Sequence, residues 1–197
     1  MIPVNEPHID EKEIAYVTDC LRTAWISSAG HFIDEFEQKW AEYCGMKYGI
    51  AMSNGTTALQ AAVGCIGLQP GDKVIMPSFT IISCAQAIIY NGGIPLLVDC
   101  DTRTWCMDVR QVKIKVEEQM NKGDGRLKAI MPVHIYGHPV DMDPIRELAE
   151  KYHLVIIEDA AEAHGAEYLT GRNTPTALWK KCGGLGHISV FSFYANK

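Results

Sequence analysis

The first part of the chain carries hydrophobic residues at helical spacing. In residues 11–23, Ile14, Val17 and Leu21 fall on one face and are separated by charged and polar positions. A second stripe of the same period consists of Ile33, Phe36, Trp40 and Tyr43. We predict two amphipathic helices here, with both stripes as buried faces.

From residue 48 onward, short apolar runs alternate with longer helical patterns. Strands are predicted at 48–52, 73–76, 94–98, 127–133, 154–157 and 188–193. Helices are predicted at 56–66, 80–90, 109–120 and 144–152. This alternation is typical of an α/β fold in which a mostly parallel sheet is covered by helices on both faces.

The ends of the predicted strands are the candidate functional segments, because ligands bind beyond the carboxyl ends of strands in such sheets. Polar or unusual residues follow five of the strands: SNGTT at 53–57, PSF at 77–79, HIYG at 134–137, EDAA at 158–161 and SFYANK at 192–197.

Composition narrows the class of protein. The 197 residues are 47% hydrophobic and 21% charged, with a formal net charge of −6, which is typical of a globular protein and argues against a nucleic-acid or anionic-membrane surface. No apolar run has the length of a membrane span, and the N-terminus lacks signal-peptide features, so we expect a cytoplasmic protein. Seven cysteines without a CxxC pair favour neither a disulfide framework nor a metal site.

The segment 53–57 leads from a strand into a helix. Gly55 permits a tight turn, and Thr56 and Thr57 present amides and hydroxyls at the helix N-terminus, where the helix dipole attracts anions. The same residues are also typical of a simple helix cap. Phosphate binding and capping are equally compatible with the sequence.

Two ionisable residues stand at other strand ends. Asp159 follows an apolar strand, where a carboxylate needs a cationic partner or a capping role. A carboxylate in this place could keep the ring nitrogen of pyridoxal phosphate (PLP) protonated, as PLP chemistry requires. Lys197 follows the last strand. An isolated lysine is usually a surface residue, but a lysine amine in a site can form a Schiff base with PLP.

Taken in order, the motifs resemble those of one family. They are IPVNEP at 2–7, WISS at 25–28, SNGTTAL at 53–59, PSFT at 77–80, VHIYG at 133–137, EDAAEAHGA at 158–166 and FSFYANK at 191–197. Together they resemble the DegT/StrS-type nucleotide-sugar aminotransferases of PLP fold type I. The resemblance implies a seven-stranded, mostly parallel large domain at 31–197, preceded by an N-terminal segment and substrate loop at 1–30. It also leads us to expect a C-terminal small domain that this chain, ending at Lys197, does not include.

The resemblance also implies roles for individual residues. Lys197 matches the catalytic Schiff-base lysine, and Asp159 matches the acid that pairs with the pyridine nitrogen. Gly55, Thr56 and Thr57 match the phosphate-binding segment, to which Ser192 adds a hydroxyl. Ala161 matches the small residue packed on the ring, and Glu162 stands where many members have a glutamine near the ring's 3-oxygen. Ile81 replaces an aromatic residue that often stacks on the cofactor.

The implied substrates are glutamate as amino donor and a nucleotide-linked keto sugar. The string around Glu162 resembles the branch that converts GDP-4-keto-6-deoxymannose to GDP-perosamine. Trp25, Ser27 and His164 are the candidate sugar contacts, and family members usually form homodimers. Residues 169–181 look longer than usual and suggest a surface loop. Two alternatives stay open: a PLP-dependent sugar dehydratase, in which histidine replaces the lysine in relatives, and a non-catalytic binding fragment.

Overall fold

A computed structural model describes residue 2, residues 6–195 and residue 197. Pro3, Val4, Asn5 and Asn196, which belong to two of the motifs above, lie outside the described residues. The chain divides into two compact units, Met1–Ala51 with Phe193–Lys197 and Met52–Ser192. Among the described residues, no helix combines the length and apolar character needed to cross a bilayer.

The first unit contains helices α1 (Glu11–Thr23) and α2 (His31–Cys44). Helix α1 begins at a capping box, in which Asp10 accepts from the Lys12 amide and Glu13 accepts from the Asp10 amide. Next to α2, the Phe193 ring meets the Trp40 ring edge-on, with centroids 4.8 Å apart. The C-terminal segment therefore packs on the aromatic face of α2.

Two predictions for the first unit are wrong. Ile14, Val17 and Leu21 are 52%, 60% and 67% exposed, because helical period is a local property and burial needs a facing surface. The predicted strand at 48–52 is irregular: the Ala51 amide donates to the Glu37 carboxylate at 2.6 Å instead of joining a sheet ladder. The second stripe is half-buried at Ile33 and Trp40 but exposed at Phe36 and Tyr43, so this prediction holds only in part.

The second unit alternates strands and helices as predicted. Its elements are α3 (Gly55–Cys65), β1 (Lys73–Pro77), α4 (Ile82–Tyr90), β2 (Ile94–Val98), α5 (Val109–Lys122), β3 (Leu127–Ile130), a 3-10 turn (Ile135–Gly137), α6 (Met142–Tyr152), β4 (Val155–Asp159), β5 (Glu167–Thr170), β6 (Leu178–Lys181) and β7 (Ile188–Val190).

Five of the strands form one parallel sheet in the order β2-β1-β3-β4-β7. The α/β class is thus confirmed, while the expected single sheet of seven strands is found as five parallel strands and a separate antiparallel pair, β5 and β6. That pair also corrects the prediction of a surface loop at 169–181. Tyr168 of β5 is buried, and its hydroxyl donates to Asp141 at 2.6 Å, so the hairpin is anchored beside α6.

Both faces of the parallel sheet are covered, and successive strand residues serve opposite faces. On one face, Ile75, Ile130 and Ile156 pack with residues of α5 and α6. On the other face, Val74, Ala129 and Ile157 pack with α3 and α4. This two-sided burial explains why the strands are apolar at consecutive positions.

Candidate active site

The N-terminus of α3 opens the candidate site. Asn54 caps the helix. Its Oδ1 accepts from the Thr57 backbone amide at 2.9 Å, and its backbone amide donates to the Thr57 hydroxyl at 3.3 Å. The residues that cap the helix are therefore different from those whose amides are open to an anion. Thr57 serves the cap, while Gly55 and Thr56, as first residues of the helix, have amides with no acceptor inside it.

Gly55 brings the helix start close to the segment after β7. A Cβ added at Gly55 would lie 3.1 Å from the Cβ of Ser192 and 3.5 Å from its hydroxyl oxygen. Glycine is needed here for close approach rather than for an unusual backbone angle. The two sequence-predicted phosphate contacts, from α3 and from Ser192, are thus adjacent in the same unit.

Asp159 ends β4 in the interior of the sheet. Its backbone pairs with Val190 of β7, and its side chain is 2% exposed. One carboxylate oxygen accepts from the Ala161 amide at 3.0 Å, and the other lies 3.0 Å from the Cys84 thiol. Within the described part of the chain, no basic side chain forms an ion pair with it. A buried carboxylate with such weak compensation is suited to a cationic ligand.

Glu162 lies on the loop after β4 and accepts from the Tyr136 amide at 2.8 Å. Tyr136 has a left-handed backbone (φ +50°) and a 79% exposed side chain. The carboxylate of Glu162 therefore holds the strained turn after β3. The family resemblance implies a position near the cofactor ring for Glu162 and no role for Tyr136.

Sequence reasoning also missed the link that Glu158 makes. Its carboxylate is fully buried and accepts from the amides of Gly183 and Leu185 at 2.9 and 2.7 Å, and from that of Gly186. His134 supplies a fourth donor at 3.0 Å, because its other ring nitrogen accepts from the Val140 amide. Glu158 thus ties the turn after β3 to the loop before β7.

Helix α4 contributes two contacts inside the candidate site. The Ser83 and Thr56 hydroxyls are 2.9 Å apart, and Cys84 reaches Asp159. Ile81, the residue before the helix, is 57% exposed. The helical pattern of the sequence predicts α4 but does not indicate that Ser83 and Cys84 face the site.

The remaining predicted residues fall in two places. In the second unit, the His164 ring lies 5.4 Å from that of Phe191. Lys197, Trp25 and Ser27 belong to the first unit and are exposed, and the Lys197 amide donates to the Tyr194 carbonyl at 2.8 Å. The position of Lys197 relative to Asp159 stays a prediction.

Comparison with known proteins identifies the family. A sequence model described as the DegT/DnrJ/EryC1/StrS aminotransferase family matches residues 7–197. The chain belongs to this family. The resemblance in the ordered motifs is thereby confirmed.

Individual family members give the finer comparison. The chain is 47% identical to the GDP-perosamine synthase of Caulobacter vibrioides, over 100% of its own length and 48% of that protein. It is 43% identical to the GDP-perosamine synthase of Escherichia coli O157:H7, covering 50% of that protein. The PLP form of a Streptococcus pneumoniae protein superposes with a TM-score of 0.85 at 27% identity, over 100% of this chain and 50% of that one. The chain thus spans about half the length of the relatives it matches.

The residues of the second unit fit PLP, the cofactor of aminotransferases in this family. PLP presents an anionic phosphate and a protonated ring nitrogen. The open amides at the start of α3 suit the phosphate, and Gly55 leaves the space for Ser192 beside them. Asp159, buried and without a basic partner in the described residues, suits the ring nitrogen.

Proposed function

We propose that this chain carries the PLP site of an aminotransferase that moves an amino group from glutamate to a nucleotide-linked 4-keto-6-deoxy sugar. The acceptor proposed is GDP-4-keto-6-deoxymannose and the product GDP-perosamine, for use in polysaccharide biosynthesis. The observation that carries the proposal is Asp159, a buried carboxylate compensated by one amide and one thiol. The identity to two GDP-perosamine synthases supports the choice of sugar.

Bound PLP supplies an electron sink for the negative charge that develops at the donor's α-carbon. Asp159 holds the proton on the ring nitrogen, because a carboxylate in a low-dielectric site strongly favours a cationic partner. The Lys197 amine would hold the cofactor until the amine of the donor displaces it. The freed Lys197 amine would then accept the α-proton of the donor as a base and return a proton as an acid. The net reaction converts glutamate and the keto sugar to 2-oxoglutarate and the amino sugar.

The other predicted residues bind and orient. The Gly55 and Thr56 amides, with Thr57 keeping the helix start capped and Ser192 adjacent, would hold the phosphate. Ile81 and Ala161 would contact the ring as apolar surfaces, and Glu162 would lie near the 3-oxygen side. Trp25, Ser27 and His164 are proposed sugar contacts. A homodimer is a further proposal that rests on family resemblance, and the cytoplasmic location expected from the sequence stays a prediction.

The test combines covalent trapping with a turnover assay. Purified protein incubated with PLP and reduced with borohydride should carry the cofactor on Lys197, identified by peptide mass spectrometry. Lys197→Arg keeps the positive charge and should give no labelled peptide. A label on another lysine, or one that persists in the arginine variant, would contradict the assignment.

Turnover is measured with glutamate and GDP-4-keto-6-deoxymannose, following 2-oxoglutarate and the mass of the sugar product. An amino sugar is the expected product, and a TDP-linked keto sugar serves as the nucleotide control. A deoxysugar without added nitrogen would instead indicate a dehydratase. PLP binding without any turnover would indicate a non-catalytic binding module.

A further inference from the structure

The first turn of α4 carries two adjacent buried polar side chains, Ser83 and Cys84, which are 7% and 0% exposed. Each contacts a different part of the candidate site. Ser83 reaches Thr56 at the start of α3, and Cys84 reaches Asp159 at the end of β4. Neither residue belongs to the cofactor contacts predicted above.

The Ser83 contact lies at the end of the candidate site that is proposed to bind the phosphate. Its hydroxyl oxygen is 2.9 Å from that of Thr56, so one of the two hydroxyls donates to the other. Thr56 is half-buried in the first turn of α3, whose amides are the proposed phosphate donors. A second link, at 3.1 Å, runs from the Asn91 side chain at the C-terminal cap of α4 to the Gln60 carbonyl in the middle of α3. The two helices are therefore joined at two points along their length.

The Cys84 contact lies at the other end of the candidate site, which is proposed to meet the ring nitrogen of the cofactor. The sulfur lies 3.0 Å from Asp159 Oδ2 and 3.3 Å from the Thr80 hydroxyl. Burial, and then the neighbouring Asp159 carboxylate, raise the pKa of the Cys84 thiol well above its usual range. The thiol therefore stays protonated and donates to the carboxylate, while the Thr80 hydroxyl can donate to the sulfur.

The donor strength of the thiol matters for Asp159. A thiol is a weak donor, so it fixes the orientation of a carboxylate and leaves most of its negative charge available to a ligand. The Ala161 amide holds the other oxygen. These two donors engage different oxygens, so they fix the orientation of the carboxylate while each oxygen keeps acceptor capacity for a cation.

We propose that Ser83 and Cys84 are positioning residues that set the spacing between the phosphate end and the ring-nitrogen end of the cofactor site. The proposal rests on the proposed function, because it assumes that Thr56 and Asp159 meet PLP. Since the two residues are neighbours in one helical turn, a single rigid element holds both ends of the ligand in register.

The first experiment separates the two ends of the ligand. PLP and pyridoxal, which lacks the phosphate, are titrated into the wild-type protein, Ser83→Ala and Cys84→Ala, and dissociation constants are read from absorbance. Loss of one hydrogen bond to a charged or charge-binding group should weaken binding about 3–10-fold. Ser83→Ala should weaken PLP and spare pyridoxal, whereas Cys84→Ala should weaken both.

The second experiment asks whether Cys84 acts through Asp159. Cys84→Ala is measured in the wild-type and in the Asp159→Asn background, where its effect on PLP affinity should fall below about 2-fold because coupled residues are not additive. Cys84→Ser keeps a donor in nearly the same volume and should restore part of the affinity, because its stronger hydroxyl donor orients the carboxylate but neutralises more of its charge. Cys106→Ala removes another buried thiol, on the opposite face of the sheet, and should leave PLP affinity unchanged.

Each outcome has a separate meaning. Equal effects of Cys84→Ala in both backgrounds, or equal loss of PLP and pyridoxal in Ser83→Ala, would reduce the residues to ordinary packing and overturn the proposal. Unchanged affinity in Cys84→Ala, with a clear loss in Asp159→Asn, would overturn it while keeping the proposed function. If the wild-type protein binds no PLP, both proposals fail. Thermal unfolding of each variant, with Cys84→Ser as the mildest change, shows that the protein is folded.

Discussion

Asp159 is the residue at which burial and charge conflict most sharply. Its carboxylate is 2% exposed and accepts from one amide and one thiol. A structural role alone would be served as well by a neutral side chain, since burying a charge without a cation is costly. The residue therefore makes physical sense chiefly in the presence of a ligand that carries positive charge.

Replacing Asp159 with Asn tests this conflict directly. We expect PLP affinity to fall roughly 10–100-fold, because a hydrogen bond to a charged partner becomes a neutral one. The free energy of unfolding without PLP should stay within about 1 kcal/mol of wild type, because the variant also removes a buried charge. Denaturant unfolding with and without PLP measures both. A large loss of stability in the protein without PLP would show that Asp159 is structural.

At the scale of elements, the start of α3 shows how a helix terminus becomes a site. Asn54 and Thr57 satisfy the cap, which leaves the first two amides of the helix facing away from its ladder. Gly55 then allows Ser192 to approach. The sequence left capping and anion binding as alternatives, and the structure assigns capping to Thr57 while leaving the amides of Gly55 and Thr56 for an anion.

Gly55→Ala should weaken PLP binding roughly 10-fold, because the new Cβ displaces Ser192 from the proposed phosphate contacts. Its effect on stability should stay within ~1 kcal/mol, since alanine favours the helix and offsets the crowding. Gly64→Ala is the matched control: it lies in the same helix, and its Cβ would also meet a side-chain atom at 3.1 Å. We expect the control to leave the PLP dissociation constant unchanged.

The loop before β7 depends on Glu158. Each carboxylate oxygen accepts two hydrogen bonds, from Gly183 and His134 on one side and from Leu185 and Gly186 on the other. An amide group cannot replace it, because its NH2 would face two donors whichever way it turned.

Glu158→Gln should therefore lower the free energy of unfolding by about 2–4 kcal/mol, despite its nearly identical shape. Hydrogen exchange should also become faster at the amides of residues 183–186. Glu150→Gln, the same change at an exposed site on α6, should alter neither quantity. Unchanged exchange in the Glu158 variant would contradict this role for the carboxylate.

For the whole molecule, the parallel sheet concentrates the buried surface. Its strands face α3 and α4 on one side and α5 and α6 on the other. The apolar stripe of α1, by contrast, is largely exposed. Similar hydrophobic patterns thus have different consequences in the two units, because only a facing partner converts amphipathicity into burial.

Alanine substitutions at two isoleucines, one buried and one exposed, test this difference in burial. Ile130, in β3, is fully buried, and Ile130→Ala should lower the free energy of unfolding by about 2–5 kcal/mol. Ile114, on α5, is 55% exposed, and the same substitution there should change it by less than about 0.5 kcal/mol. Comparable losses at both positions, in chemical denaturation, would contradict the assigned core.

Much of the second unit could be predicted from the sequence, because hydrophobic period and turn residues are local signals. The alternation of strands and helices, a helix start within one residue of the observed Gly55 and the order of the motifs all follow from neighbours along the chain. The hairpin of β5 and β6 could not be predicted in this way. Its support comes from Asp141 and Asp143 on the α6 side, which accept hydrogen bonds from Tyr168 and Thr170.

The sequence by itself determined the α/β class, the family motifs and the candidates Lys197 and Asp159. Only the tertiary structure decided how Glu158 and Asp159 divide their roles. Adjacent residues of a strand point to opposite faces. Glu158 therefore enters the Gly183–Gly186 loop, and Asp159 turns toward Cys84 of α4. Those partners are 25 to 28 and 75 residues away along the chain, and no local pattern records such contacts.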